Sequence, residues 1–223
     1  MRRIFVIILC ISLLCIPARA EEPEKCVALT FDDGPSGRFT RALLNGLAER
    51  EVTATFLLCG YRMEQYQELT QRIVDEGHEI GLHGYSHSCL STMCLADIQR
   101  EISDCMPLLP VDYKPVFLRP PGGKVNAAVR QAAQEAELAI LNWDVDPRDW
   151  ATHNAAAVEK AVLDQVQDGD VILLHDMSDS SVEAALVIVD ALLEKGYRFV
   201  TASELARIKG ITPQPGEIYN RFR

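Results

Sequence analysis

Short apolar runs alternate with amphipathic helical stretches from Cys26 almost to the end of the chain. Segments 26–31, 53–58, 79–82, 116–118, 138–143, 171–174 and 199–200 read as strands. Between the first two, Phe39, Leu43, Leu44 and Leu47 recur at helical spacing. Further helices are expected over 61–76, 94–108, 127–136 and 155–166. Val182, Leu186, Val189 and Leu193 mark a long helix closed by Gly196, and Ser203 is expected to cap a last short one. Such alternation feeds parallel strands through helical crossovers and gives an α/β fold. About seven βα units in roughly two hundred residues suit a small, distorted (β/α) barrel. The domain is expected to span 21–210, with a proline-containing tail, 211–223, loosely held.

The first twenty residues read differently. Met1-Arg2-Arg3 is a short basic stretch, an apolar run covers 4–16, and Ala18-Arg19-Ala20 offers small residues where a signal peptidase reads. The run is shorter than the ~20 apolar residues needed to span a bilayer. Residues 1–20 are therefore expected to be a signal peptide, cleaved near Ala20, which makes the protein secreted or extracytoplasmic. Cleavage removes three arginines and no acid, taking the formal net charge from −10 to −13. A field of that sign repels nucleic acid and anionic lipid headgroups. Cys26, Cys59, Cys89, Cys94 and Cys105 remain, an odd number without a C-x-x-C pair. One short bridge among Cys89, Cys94 and Cys105 is open to them, as is simple burial.

The polar residues of interest fall where the expected strands end, the face on which α/β barrels build their sites. Asp32 and Asp33 leave the first strand within Thr30-Phe31-Asp32-Asp33-Gly34-Pro35, which would also suit a plain turn. His83 and His87 follow the third strand, four apart on one helical face. With Asp33 they make two imidazoles and one carboxylate, a donor set suited to zinc, with cobalt or nickel possible. Three protein ligands leave positions for water and substrate, as catalytic sites require. Arg119-Pro120-Pro121-Gly122-Gly123 and Asp146-Pro147-Arg148-Asp149-Trp150 follow the fourth and fifth strands, and Leu173-Leu174-His175 ends the sixth. Each alone reads as structure; their joint order does not.

With these five segments the chain resembles the NodB-homology domain of polysaccharide deacetylases (carbohydrate esterase family 4). The resemblance implies a (β/α)-barrel hydrolase that removes N-acetyl groups from an acetamido-sugar polymer, peptidoglycan or chitin-like. It implies Asp32 as general base, Asp33, His83 and His87 as metal ligands, and His175 as general acid. Arg119 would steady Asp32 and Asp146 would orient His175. The Gly122 backbone would hold an oxyanion, with Trp150 walling the acetyl pocket and Pro121 at the substrate face. The expected partner is the polysaccharide itself, and no segment marks an obligatory protein partner. An O-deacetylase, another amide hydrolase or a non-catalytic carbohydrate-binding relative would share the fold; the last would be expected to lack Asp32 or a ligand. Two departures stand out: Gly84 replaces the usual Ser or Thr that stabilises the histidine loop, and Gly122 replaces a common aromatic. His78 and His153 read as structural, the latter exposed.

Overall fold

The computed structural model describes residues 25–223, so the expected leader lies outside the described residues. Strand β1 (Lys25–Asp32) is buried along its whole length apart from Lys25, as a strand covered on both faces must be. Its side chains divide by alternation: Val27, Leu29 and Phe31 pack under helices, while Cys26 and Ala28 face a second, smaller core. The remaining strands are β2 (Thr55–Leu58), β3 (Glu79–Leu82), β4 (Phe117–Leu118), β5 (Ala139–Leu141), β6 (Val171–His175), β7 (Tyr197–Phe199) and β8 (Ile218–Tyr219). They form one sheet in the order β6-β1-β2-β3-β4-β5-β8, with β7 also on β1, and all named pairs are parallel. A bridge from Val145 to Ile172 brings the segment after β5 against β6 and curls the sheet into a barrel-like form.

Helices α1 (Arg38–Glu49), α2 (Gly60–Gln65), α3 (Gln67–Asp75), α4 (Leu95–Ser103) and α5 (Ala127–Glu135) accompany the first five strands. Then come α6 (Asp149–Thr152), α7 (Ala155–Leu163), α8 (Asp179–Glu194) and α9 (Ala202–Ile208). In α1 the buried Thr40, Leu43, Leu44 and Leu47 make the apolar stripe that its spacing predicts. Asn126, Asn154, Ser178 and Thr201 cap α5, α7, α8 and α9 by accepting a backbone N–H of the first turn. The cap of the last helix is thus Thr201 and not Ser203. The helix expected over 61–76 breaks at Tyr66, whose backbone leaves the helical region and whose ring packs over Gly37. The one expected over 94–108 ends at Ser103 and resumes as a 3-10 turn, Met106–Leu108. No helix of the described residues is long and apolar enough to cross a membrane.

The tail departs most from expectation. Residues 211–223 are not loosely held: β8 pairs with β5, and Phe222 is fully buried in the smaller core beside Phe117. Gly216 N–H donates to Leu138 O at 2.8 Å, and Arg223 bonds Asp170 at the start of β6. Among the described residues no disulfide joins the five cysteines, and Cys26, Cys59 and Cys105 are buried.

Candidate active site

Asp32 and His175 are register partners at the ends of β1 and β6, so the sheet itself sets a carboxylate beside an imidazole. Beyond Asp32 the chain turns sharply, with Asp33 at φ 74° and a cis Gly34–Pro35 bond. A Cβ at Gly34 would lie 2.7 Å from the carboxylate of Asp176, so a larger residue would force that buried side chain to move. Asp176 is buried, and burial pushes its carboxyl up to about 7; it accepts the Thr40 hydroxyl and braces this turn.

Pairing of Leu82 with Leu118 across β3 and β4 puts the next residues, His83 and Arg119, side by side. The Arg119 carbonyl takes the His83 Nδ1–H at 2.7 Å, which leaves Nε2 with its lone pair. That Nε2 lies 3.3 Å from Asp33 Oδ1, and His87 Nε2 lies 3.0 Å from the same oxygen. Lone pairs on Asp33 and His83 facing each other so closely call for a cation between them. Asp33 Oδ1 is buried and finds no well-formed hydrogen bond. Burial pushes the Asp33 carboxyl up, yet where the two rings are protonated their hydrogen bonds and charge win and hold it well below the usual carboxylate range. Candidate ligand atoms of Asp33, His83 and His87 all lie within 4.8 Å of one another, and this N2O donor set fits a divalent transition metal.

Arg119 is fully buried, and four hydrogen bonds explain how. Its Nε donates to Leu141 O at 2.8 Å and Nη2 to Asn142 O at 3.0 Å. Its Nη1 donates to Thr30 Oγ1 at 2.9 Å and to Asp32 Oδ1 at 2.6 Å. One Asp32 oxygen is therefore occupied, while Oδ2 stands 3.7 Å from His83 Nε2, on the side of the candidate ligands.

Asp32, Asp33, His83, His87, Gly122, Asp146, Trp150 and His175 line one cavity of about 440 Å³. Pro121, expected at the substrate face, is buried and off the cavity wall. A larger correction concerns the partner of His175. Asp146 spends an oxygen on the Arg148 N–H at 2.9 Å, and Arg148 adopts a left-handed conformation that reverses the chain. Asp149, at the start of α6, is thereby turned onto His175 and takes the place expected for Asp146. Its Oδ1 lies 2.9 Å from His175 Nδ1, and its Oδ2 accepts the His175 backbone N–H at 2.9 Å. Burial pushes the His175 imidazole down, but Asp149 with Asp32 and Asp33 outweighs it and raises the pKa to about 9.

Sequence reasoning missed Trp143, which follows β5, lines the cavity and has the Arg119 guanidinium 5.5 Å from its ring. Its position in an expected strand concealed it. His78, by contrast, is buried and structural, accepting Ala54 N–H, and His153 is exposed.

A barrel-like parallel sheet whose C-terminal rim carries these donors, a held carboxylate and a paired imidazole has the parts that metal-assisted hydrolysis uses. Comparison with known proteins places it further. Residues 19–141 match the family model for polysaccharide deacetylases. A peptidoglycan-N-acetylglucosamine deacetylase of Bacillus cereus is 37% identical over 192 residues, 83% of this chain and 90% of that protein. The peptidoglycan-N-acetylmuramic acid deacetylase PdaC of Bacillus subtilis is 35% identical over 188 residues, again 83% of this chain. The chain spans 40% of the length of PdaC. Among solved structures, a family 4 acetyl xylan esterase from Clostridium thermocellum, in complex with a cobalt ion, superposes with a TM-score of 0.83 at 33% identity. That match covers 88% of this chain and 98% of the esterase. The chain belongs to the polysaccharide deacetylase family.

Proposed function

We propose that this protein is a metal-dependent hydrolase that removes N-acetyl groups from peptidoglycan, with the N-acetylglucosamine units as first substrate. The observation that carries the reading is the convergence of His83 Nε2 and His87 Nε2 on Asp33 Oδ1, with Asp32 held beside them by Arg119. The substrate class is supported by the peptidoglycan deacetylases among its relatives. Residues 1–20 fit a signal peptide, so we infer that the enzyme works outside the cytoplasm, where such a polymer lies.

Asp33, His83 and His87 would hold the ion, zinc by its donor set with cobalt or nickel as substitutes. A bound divalent ion supplies Lewis acidity toward water and the acetyl carbonyl. Asp32 takes the proton from the attacking water through Oδ2, because Arg119 already occupies Oδ1. The Gly122 N–H stands at the cavity to steady the oxyanion that develops at the acetyl carbon. His175, fixed through Nδ1 by Asp149, presents Nε2–H to the sugar nitrogen and protonates it as the C–N bond breaks. Without that proton the leaving group would be an amide anion, too basic to expel.

A second reading keeps the site and changes the bond: an acetyl ester, as the structural likeness to an acetyl xylan esterase suggests. Acetate release from purified peptidoglycan, chitin oligomers and acetylated xylan separates the two. Release from peptidoglycan fastest supports the proposal; release from xylan alone contradicts it.

A further inference from the structure

Gly84 brings no side chain to the histidine loop, so the loop must be held by other residues. Gly60 and Tyr61 N–H of α2 donate to the carbonyls of Gly84 and Tyr85, each at 3.0 Å, which fixes the loop as far as Tyr85. His87 lies beyond that support. Its φ is 61°, an unfavourable conformation for a non-glycine residue, and its side chain is 45% exposed against 2% for His83. Packing therefore positions His83 but not His87.

Between them Ser86 is bound twice by one carboxylate. Its backbone N–H donates to Glu101 Oε2 at 2.8 Å and its hydroxyl to Glu101 Oε1 at 2.6 Å. Glu101 comes from α4, an element on the other side of the loop from α2 in sequence and anchored by the buried Ile98 and Ile102. The same Oε2 lies 3.2 Å from where a Cβ at Gly84 would sit, so the carboxylate fills the space a residue-84 side chain would claim. Gly84, at φ 76°, and Glu101 thus make one arrangement.

We propose that Glu101 is a positioning residue for the metal site, clamping Ser86 so that His87 Nε2 stays aimed at Asp33. The inference rests on the metal reading above. A carboxylate holding both polar groups of the residue before a ligand acts as an outer-shell partner does. The loop is then tied to α2 before Ser86 and to α4 at Ser86, and His87 inherits its geometry from both.

The test measures zinc and cobalt affinity of the metal-free protein by competition with a chromophoric chelator, alongside melting of the metal-free form. Glu101→Ala should weaken affinity by about tenfold or more, while Glu101→Gln, whose amide oxygen can accept the Ser86 N–H and whose NH2 can donate to the Ser86 hydroxyl oxygen, should stay within roughly threefold of the wild type. Ser86→Ala, a change small enough to fold if Glu101→Ala does not, should fall between them. Combined with Glu101→Ala, it should add little further loss. Wild-type affinity in Glu101→Ala, or in Ser86→Ala where the former fails to fold, would overturn the inference and leave the metal reading intact. An equal loss in Glu101→Gln would also overturn it, since charge rather than the clamp would then be at work. A wild-type protein that binds neither ion would overturn both readings.

Discussion

Asp149 holds His175 twice, ring Nδ1 and backbone N–H each at 2.9 Å from one of its two oxygens. Asp149 itself is 1% exposed, so its charge acts at short range with little water between. The pair fixes the ring, directs its other nitrogen to the cavity and favours the imidazolium. As pH rises through about 9 the imidazolium loses its proton, so the alkaline limb of activity should lie there. In Asp149→Asn the charge that opposes burial is gone, and the limb should move to lower pH by about one unit or more. Asp146→Asn should leave the limb in place. Acetate release against pH in both variants checks this, and a shift in Asp146→Asn alone would reverse the assignment.

Arg119 ties β4 to β1 and to the carbonyls that end β5. Replacing it by Met leaves the buried Asp32 charge and two carbonyls without a donor. The expected loss is ~3–5 kcal/mol in unfolding free energy, measured in urea. A loss below about 1 kcal/mol would mean that water substitutes for the guanidinium.

The strands and the rim residues were legible because each signal is local. Alternation marks a strand, and Asp32, His83, Arg119 and His175 each stand within a residue of a strand's end. Asp149 was not legible, since a left-handed residue between two carboxylates decides which one turns inward. Nor was β8, whose two residues pair with a strand some eighty positions earlier and carry no periodicity. Gly84 was visible as a departure, but the glutamate that answers it sits on another element.

The tail provides a third prediction. Deleting 211–223 removes β8, exposes the β5 edge and empties the place of Phe222. Burial of that ring alone is worth about 1.5–3 kcal/mol, so the truncated protein should lose at least that much stability in urea unfolding. An unchanged midpoint would mean that the tail packs without contributing.

In the proposed mechanism neighbouring carboxylates divide the labour, Asp33 holding the ion and Asp32 moving the proton. The direct measurement is metal content and acetate release on the same preparations of Asp32→Asn and Asp33→Asn. Asp32→Asn should retain the ion and lose activity by on the order of 10²-fold or more, whereas Asp33→Asn should lose both. Asp32→Asn emptied of metal, or metal-free wild type releasing acetate at full rate, would contradict the account.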